Sequence, residues 1–177
     1  MNHLPQDLRR SSDYEKVKKL VENSENLLEI ESIEGEPPRQ FVIAYHCKGI
    51  EKIDKSGTAI IRDRHRVEIT LPANYPVDRP YALFLTPIFH PNVFENNVIC
   101  LGETWNVNES LDNLILRIGK IIQYDVDYMN LQSPANWDAM SWAESHRDLF
   151  PIGTDTFLQS KPESGKEEDQ VVWTDLS

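Results

Sequence analysis

Near the start of the chain, apolar residues recur at three- and four-residue spacing: Tyr14, Val17 and Leu20 with Val21 form a stripe among Arg10, Lys16, Lys18 and Lys19. That spacing predicts an amphipathic helix over residues 9–23. Four apolar alternations follow, over residues 28–33, 41–47, 60–71 and 81–86, broken by turn-forming stretches at 35–38, 54–57 and 72–80. Short alternating runs in sequence with short connections predict a four-stranded antiparallel meander. In the third run Val67, Ile69 and Leu71 alternate with Glu68 and Thr70, which sets one face on a core and the other on water. Residues 87–108 then lose the alternation. A connection of about 20 residues without an element of its own is uncommon in a compact domain, and is usually either functional or disordered. Phe89, Val93, Phe94, Val98, Ile99, Leu101 and Trp105 offer too much to bury for disorder, so an ordered functional loop is expected. Leu111, Leu114, Ile115, Ile118, Ile121 and Ile122 predict a helix over 110–124. Another is expected to open at Ser133 as N-cap with Pro134 at its first position, taking apolar bulk from Trp137, Met140 and Trp142 with Ala143. The fold class is α+β: an N-terminal helix, a four-stranded antiparallel meander, a long loop and C-terminal helices.

Composition sets the boundaries of this picture. At 177 residues the chain has one-domain size, and its 29 acidic against 18 basic residues give a net charge of −11. From residue 153 the sequence turns polar and acidic, so residues 1–152 are expected to form the domain and 153–177 a disordered tail, with Val171-Val172-Trp173 as a candidate docking motif. The acidic excess argues against a general nucleic-acid surface, which needs clustered Lys and Arg. Cys47 falls in phase with Phe41, Ile43 and Tyr45 and is expected in the core. It and Cys100 form no Cys-x-x-Cys or Cys/His run, so neither a disulfide framework nor a metal site is expected. No apolar run approaches the roughly 20 residues of a membrane helix, and the first residues lack the layout of a secretion signal. The expected location is the cytoplasm. The first helix is the exception to the acidity: Arg9, Arg10, Lys16, Lys18 and Lys19 outnumber Asp13, Glu15 and Glu22. It is either a docking face for an acidic partner or a solvated helix face.

Two features of the long loop carry chemistry. His90-Pro91-Asn92 follows the fourth strand, and Cys100 lies ten residues beyond His90, between Ile99 and Leu101. With Tyr75-Pro76 and Pro80 before the fourth strand, Val93, Val98-Ile99-Cys100-Leu101, Trp105, the 111–122 helix and Ser133-Pro134-Ala135-Asn136, the sequence resembles the ubiquitin-conjugating enzyme family. The resemblance is specific over residues 71–150, topological over 8–70 and absent beyond 153. It implies that residues 1–152 form a conjugating domain in which Cys100 accepts the C-terminal carbonyl of a ubiquitin-like modifier from an activating enzyme, as a thioester. Cys100 then passes that carbonyl to an amine, usually a lysine of a target protein. Sulfur suits both steps, being nucleophilic as thiolate and a good leaving group. By the same resemblance Asn92 either donates to the oxyanion of the tetrahedral intermediates or braces the loop, and His90 and Pro91 are supports. Ser133 stands where the family places an Asp or Ser beside the incoming lysine, its other reading being the helix N-cap. Asp127 and Asp125 are candidate carboxylates for that lysine. Arg9, Arg10, Lys16, Lys18 and Lys19 are the candidate contact for the activating enzyme. No cofactor is expected, since the activating enzyme is the partner that uses ATP.

The sequence also departs from the family pattern. Asn97 stands where a turn glycine is common, and it tolerates a left-handed backbone. Only four residues separate Cys100 from Trp105, and Gly102 stands where an acid is frequent, so the gate beside the cysteine is expected to be short and open. Val77 and Asn106-Val107 occupy places that eukaryotic members present to ligases, which argues against a RING-type ligase as partner. The short Cys-to-Trp loop with Leu101-Gly102 looks like that of stand-alone bacterial relatives found in ubiquitin-like modification systems linked to phage defence. Two other functions use the same residues: a non-catalytic scaffold of this fold that binds a modifier, and a thiol hydrolase with His90 as base to Cys100.

Overall fold

The computed structural model describes residues 4–102, 104–152 and 157. Helix α1 (Pro5–Glu22) opens with Pro at its first position, where a missing N–H costs nothing, and buries Arg10, Asp13, Val17 and Leu20. Half of that face is polar. It packs because its charges are matched: Arg10 is 2% exposed and donates to Asp7 at 2.9 Å and to the carbonyls of Pro72 and Ala73 at 2.8 and 2.6 Å. Asp13 accepts from Arg9 at 2.8 Å and from the Tyr75 hydroxyl. The outward basic face expected from the sequence is therefore corrected at two positions. Arg10 points into the protein, and Arg9 spends its remaining donors on Val107 O and Glu109 O at 3.0 and 2.6 Å. Lys16 and Lys19 stay exposed and Lys18 half-exposed.

Strands β1 (Leu28–Glu34), β2 (Gln40–Tyr45), β3 (Gly49–Ile53), β4 (Ala59–Arg62), β5 (His65–Thr70) and β6 (Tyr81–Phe84) follow. The main sheet is antiparallel with order β1-β2-β5-β6, as the meander predicts. What differs is an inserted hairpin, β3-β4, between its second and third strands. The run 60–71 is two strands, bent at Asp63-Arg64. Asp54 to Gly57 is the tip of the hairpin, where the Asp54 carboxylate accepts from the Ser56 and Thr58 amides and Gly57 takes φ +84°. His65 turns the corner fully buried, its Nε2 paired with Arg62 O at 3.1 Å.

Helix α2 (Leu111–Ile122) crosses beneath the sheet and buries Leu111, Leu114, Ile115, Ile118, Ile121 and Ile122. These join Phe41, Ile43, Val67, Ile69 and Phe84 of the sheet and Val17 and Leu20 of α1 in one core, with Cys47 buried among them. Phe157 belongs to that core as well, at 3% exposure, packed edge-on to Tyr45 over Gly119 of α2. The expected boundary at 152 is therefore corrected at this residue. The remainder of the expected tail, Val171 to Trp173 included, lies outside the described residues. Helix α3 (Trp137–Ser145) is capped by Asn136, whose side chain accepts from Ala139 N at 2.9 Å, and not by Ser133. Trp142 and Ala143 pack with Ile50, Phe89, Tyr124 and Phe150, a second small cluster that fixes α3 beside the loop after β6.

Candidate active site

Beyond β6 the chain doubles back and pairs with that strand. Ile99 N–H donates to Ala82 O at 2.9 Å, Phe84 N–H to Asn97 O at 2.9 Å, and Val93 bridges Ile99. Asn97 sits at φ +65° in the turn, the left-handed conformation its short amide side chain tolerates. The long loop is thus ordered by backbone pairing, with Cys100 as its last paired residue: Cys100 N–H donates to Asn92 O at 2.7 Å.

His90 lies fully buried against Tyr124, with ring centroids 4.5 Å apart and planes at 69°. Its Nδ1 accepts from Asn92 N–H at 2.9 Å, so the proton sits on Nε2. Burial pushes its pKa down to about 3, because the imidazolium would lose its hydration. With its single lone pair engaged and no exposed surface, the ring braces the turn and has no means of taking the Cys100 proton, which removes the hydrolase reading. Pro91 contributes its carbonyl, which accepts from Ala135 N at 2.8 Å and Asn136 N at 3.1 Å.

Asn92 is 4% exposed, and its side chain works inward on both ends. Nδ2 donates to Tyr128 O at 2.8 Å while Oδ1 accepts from Asn130 N at 2.8 Å, a pattern that fixes the amide orientation. Asn130 extends the chain of contacts, its own amide exchanging bonds with Ser133 O at 2.6 Å and Ser133 N at 3.2 Å. One backbone unit therefore places the cysteine and one side chain places the segment facing it. The second Nδ2 proton of Asn92 has no bond among the described residues.

Cys100 is partly exposed and forms part of the lining of two clefts. The larger, about 500 Å³, is walled by Arg79, Tyr81, Phe94, Leu101, Ser133 and Ala135. The smaller, about 220 Å³, is walled by Asn92, Arg117, Asp127, Tyr128 and Asn130. Ser133 and Asp127 thus line different clefts. Asp127 is exposed on the 3-10 turn Val126–Tyr128, and its carboxylate has no ion pair among the described residues. Asp125 is committed elsewhere, capping that turn and pairing with Lys120 at 3.6 Å. Trp105 closes the far end of the loop by donating to Pro76 O at 2.7 Å. Sequence reasoning missed Asn130, Arg79 and Arg117. The last two reach the carbonyls of Gly102 and Leu101 at 3.1 and 2.8 Å. Among the described residues no cluster of His, Cys, Asp and Glu could hold a metal ion, and no helix is long and apolar enough to cross a membrane.

The sequence is 30% identical over 118 residues to ubiquitin-conjugating enzyme E2 S of Drosophila melanogaster and of Drosophila simulans, a match covering 61% of this chain and 56% of each relative. The chain thus spans little more than half the length of these curated relatives. Among solved structures it is similar to human ubiquitin-conjugating enzyme E2 G1, with a TM-score of 0.49 and 17% identity over 68% of this chain and 98% of that one. The family model for ubiquitin-conjugating enzyme matches residues 52–153, more than half the chain. That segment runs from the β3-β4 hairpin through His90, Asn92, Cys100 and the residues lining both clefts to beyond the end of α3, and on this match the chain belongs to the ubiquitin-conjugating enzyme family.

Proposed function

We propose that this chain is a conjugating transferase that carries a ubiquitin-like modifier on Cys100. The observation that carries the reading is a partly exposed thiol that lines two clefts, within reach of an incoming peptide terminus. The Cys100 thiolate attacks the carbonyl of the modifier's thioester on the activating enzyme, and the enzyme's sulfur departs as the new thioester forms. A target lysine, having lost its proton, then attacks the same carbonyl. The carbon–sulfur bond breaks, an isopeptide bond remains and the thiolate is restored. Both steps pass through an oxyanion, toward which Asn92 has one amide proton to give. Asp127 is the better acceptor for the lysine proton, since a serine such as Ser133 is a poor base near neutral pH. ATP enters only at the activating enzyme. The short Cys100-to-Trp105 connection supports a place among stand-alone bacterial relatives in a phage-defence setting, acting in the cytoplasm without a RING-type ligase.

The test combines the full chain with its cognate activating enzyme, modifier and ATP, resolved on gels with and without thiol. A thiol-labile adduct is expected, absent in Cys100→Ala and present in Asp127→Asn, whose discharge to lysine slows while loading stays intact. An unmodified chain that binds the modifier yet never loads would instead be a scaffold.

A further inference from the structure

The chain is held differently on the two sides of Cys100. Up to the cysteine, backbone pairs with backbone, through Ile99 to Ala82 and Cys100 to Asn92. Beyond it, neither Leu101 nor Gly102 bonds to another backbone group among the described residues. Their two carbonyls are taken instead by guanidinium groups from opposite walls. Arg117 Nη1, from α2, donates to Leu101 O at 2.8 Å, and Arg79 Nη1, from the segment before β6, donates to Gly102 O at 3.1 Å. Arg117 lines the smaller cleft and Arg79 the larger, with Cys100 in both.

Of Leu101 and Gly102, side-chain packing holds only the first: Leu101 is buried and belongs to the main core. Gly102 takes φ +93°, and a Cβ built there would meet no atom within 4 Å, so at this residue packing adds no support. Arg117 is itself anchored, by Glu109 Oε2 at 2.9 Å, and the Glu109 carbonyl accepts from Arg9 at 2.6 Å. The support therefore runs from α1 through the 107–109 segment to α2 and ends on the peptide unit after the cysteine.

We propose that Arg79 and Arg117 are positioning residues, a two-sided clamp that fixes the turn from Cys100 to Gly102 and with it the direction of the thiol between the clefts. The inference rests on Cys100 being the acyl carrier. A clamp of this kind acts on the reacting geometry, where a displacement of about 1 Å costs on the order of 100-fold, and leaves binding of the activating enzyme alone.

The experiment compares the full chain with Arg79→Gln, Arg117→Gln and the double variant, using Arg64→Gln of the sheet surface as control. Two readouts are taken: 15N relaxation of the Leu101 and Gly102 amides, and the rate of thioester loading from the cognate activating enzyme. In the double variant the order parameter of the Gly102 amide should fall from about 0.85 to below about 0.6, that of Leu101, whose side chain stays in the core, should fall less, and those of β2 and β5 should stay rigid. Its loading rate at saturation should drop about 10- to 100-fold with KM unchanged. Arg117→Lys, which keeps the charge and can still donate to one of the two acceptors, should recover part of the loss. Variants that load like the unmodified chain, or whose turn stays ordered, overturn the clamp. An unmodified chain that fails to load overturns its premise, the carrier role of Cys100.

Discussion

His90 spends its lone pair on the Asn92 amide and is sealed from water, and His65 is sealed in the same way at the corner between β4 and β5. Burial pushes their pKa values down to about 3 and about 4, from 6.5 in the unfolded chain. Below pH 6.5 the unfolded chain therefore binds protons that the native state refuses, and stability falls as pH falls toward 4. Each histidine contributes up to about 1.4 kcal/mol per pH unit in that window. Urea unfolding between pH 7 and 4.5 should show a midpoint that declines steadily from about pH 6.5, and a flat midpoint down to pH 5 contradicts the burial. Much of the site was legible at this scale, because His90, Asn92 and Cys100 act within ten residues of one another and their spacing encodes the turn. Asn130, Arg79 and Arg117 act through backbone carbonyls or amides distant in sequence, or through bonds fixed only by the tertiary approach, and no local pattern marks such a partner. Arg10 misled for a related reason: its guanidinium is buried because Asp7 and two backbone carbonyls accept from it, yet in sequence it reads as surface charge.

Among the elements, α2 was the clearest in the sequence, since its apolar stripe is unbroken, and β3 was the strand missed, its partner β4 being read as the start of the run 60–71. Gly49 to Ile53 mixes Glu51 and Lys52 with two isoleucines, too weak an alternation to stand out beside its turn. The contact between α2 and Phe157 was hidden for a different reason, an aromatic residue in a mainly polar stretch with no periodic apolar pattern around it. A Cβ on Gly119 would stand 2.5 Å from the Phe157 ring, so the glycine is there for its notch. Gly119→Ala should therefore destabilise by about 1–3 kcal/mol through overpacking. In a Phe157→Ala background the notch is empty, and the same substitution should become neutral or stabilising by up to about 1 kcal/mol, the helix-propensity gain of alanine. Thermal or urea unfolding of the four proteins forms a double-mutant cycle. Equal cost in both backgrounds would remove the contact.

At the scale of the whole molecule, charge is distributed unevenly in a way the net −11 conceals. Of the five basic residues on α1, Arg9 and Arg10 are consumed in holding the 107–109 segment and the loop after β5. Lys16, Lys18 and Lys19 remain toward solvent, although Lys18 pairs with Glu15 at 2.8 Å and lies over Tyr14. A small positive patch on a strongly acidic body contributes little to affinity but can orient an approaching acidic partner, an effect carried by the association rate and screened by salt. Replacing all three lysines by glutamate should therefore slow loading from the activating enzyme several-fold at about 20 mM salt, through KM and not the rate at saturation. The difference should shrink toward zero near 0.5 M salt, where the screening length falls below about 5 Å. The same reversal at Arg9 should behave otherwise, because its bonds to Val107 and Glu109 are internal: the loss should persist at high salt and appear in the rate at saturation, as expected if α1 supports the Cys100 turn through Glu109 and Arg117. Identical salt responses from the two sets of variants would place both groups at the docking surface and remove that separation of roles.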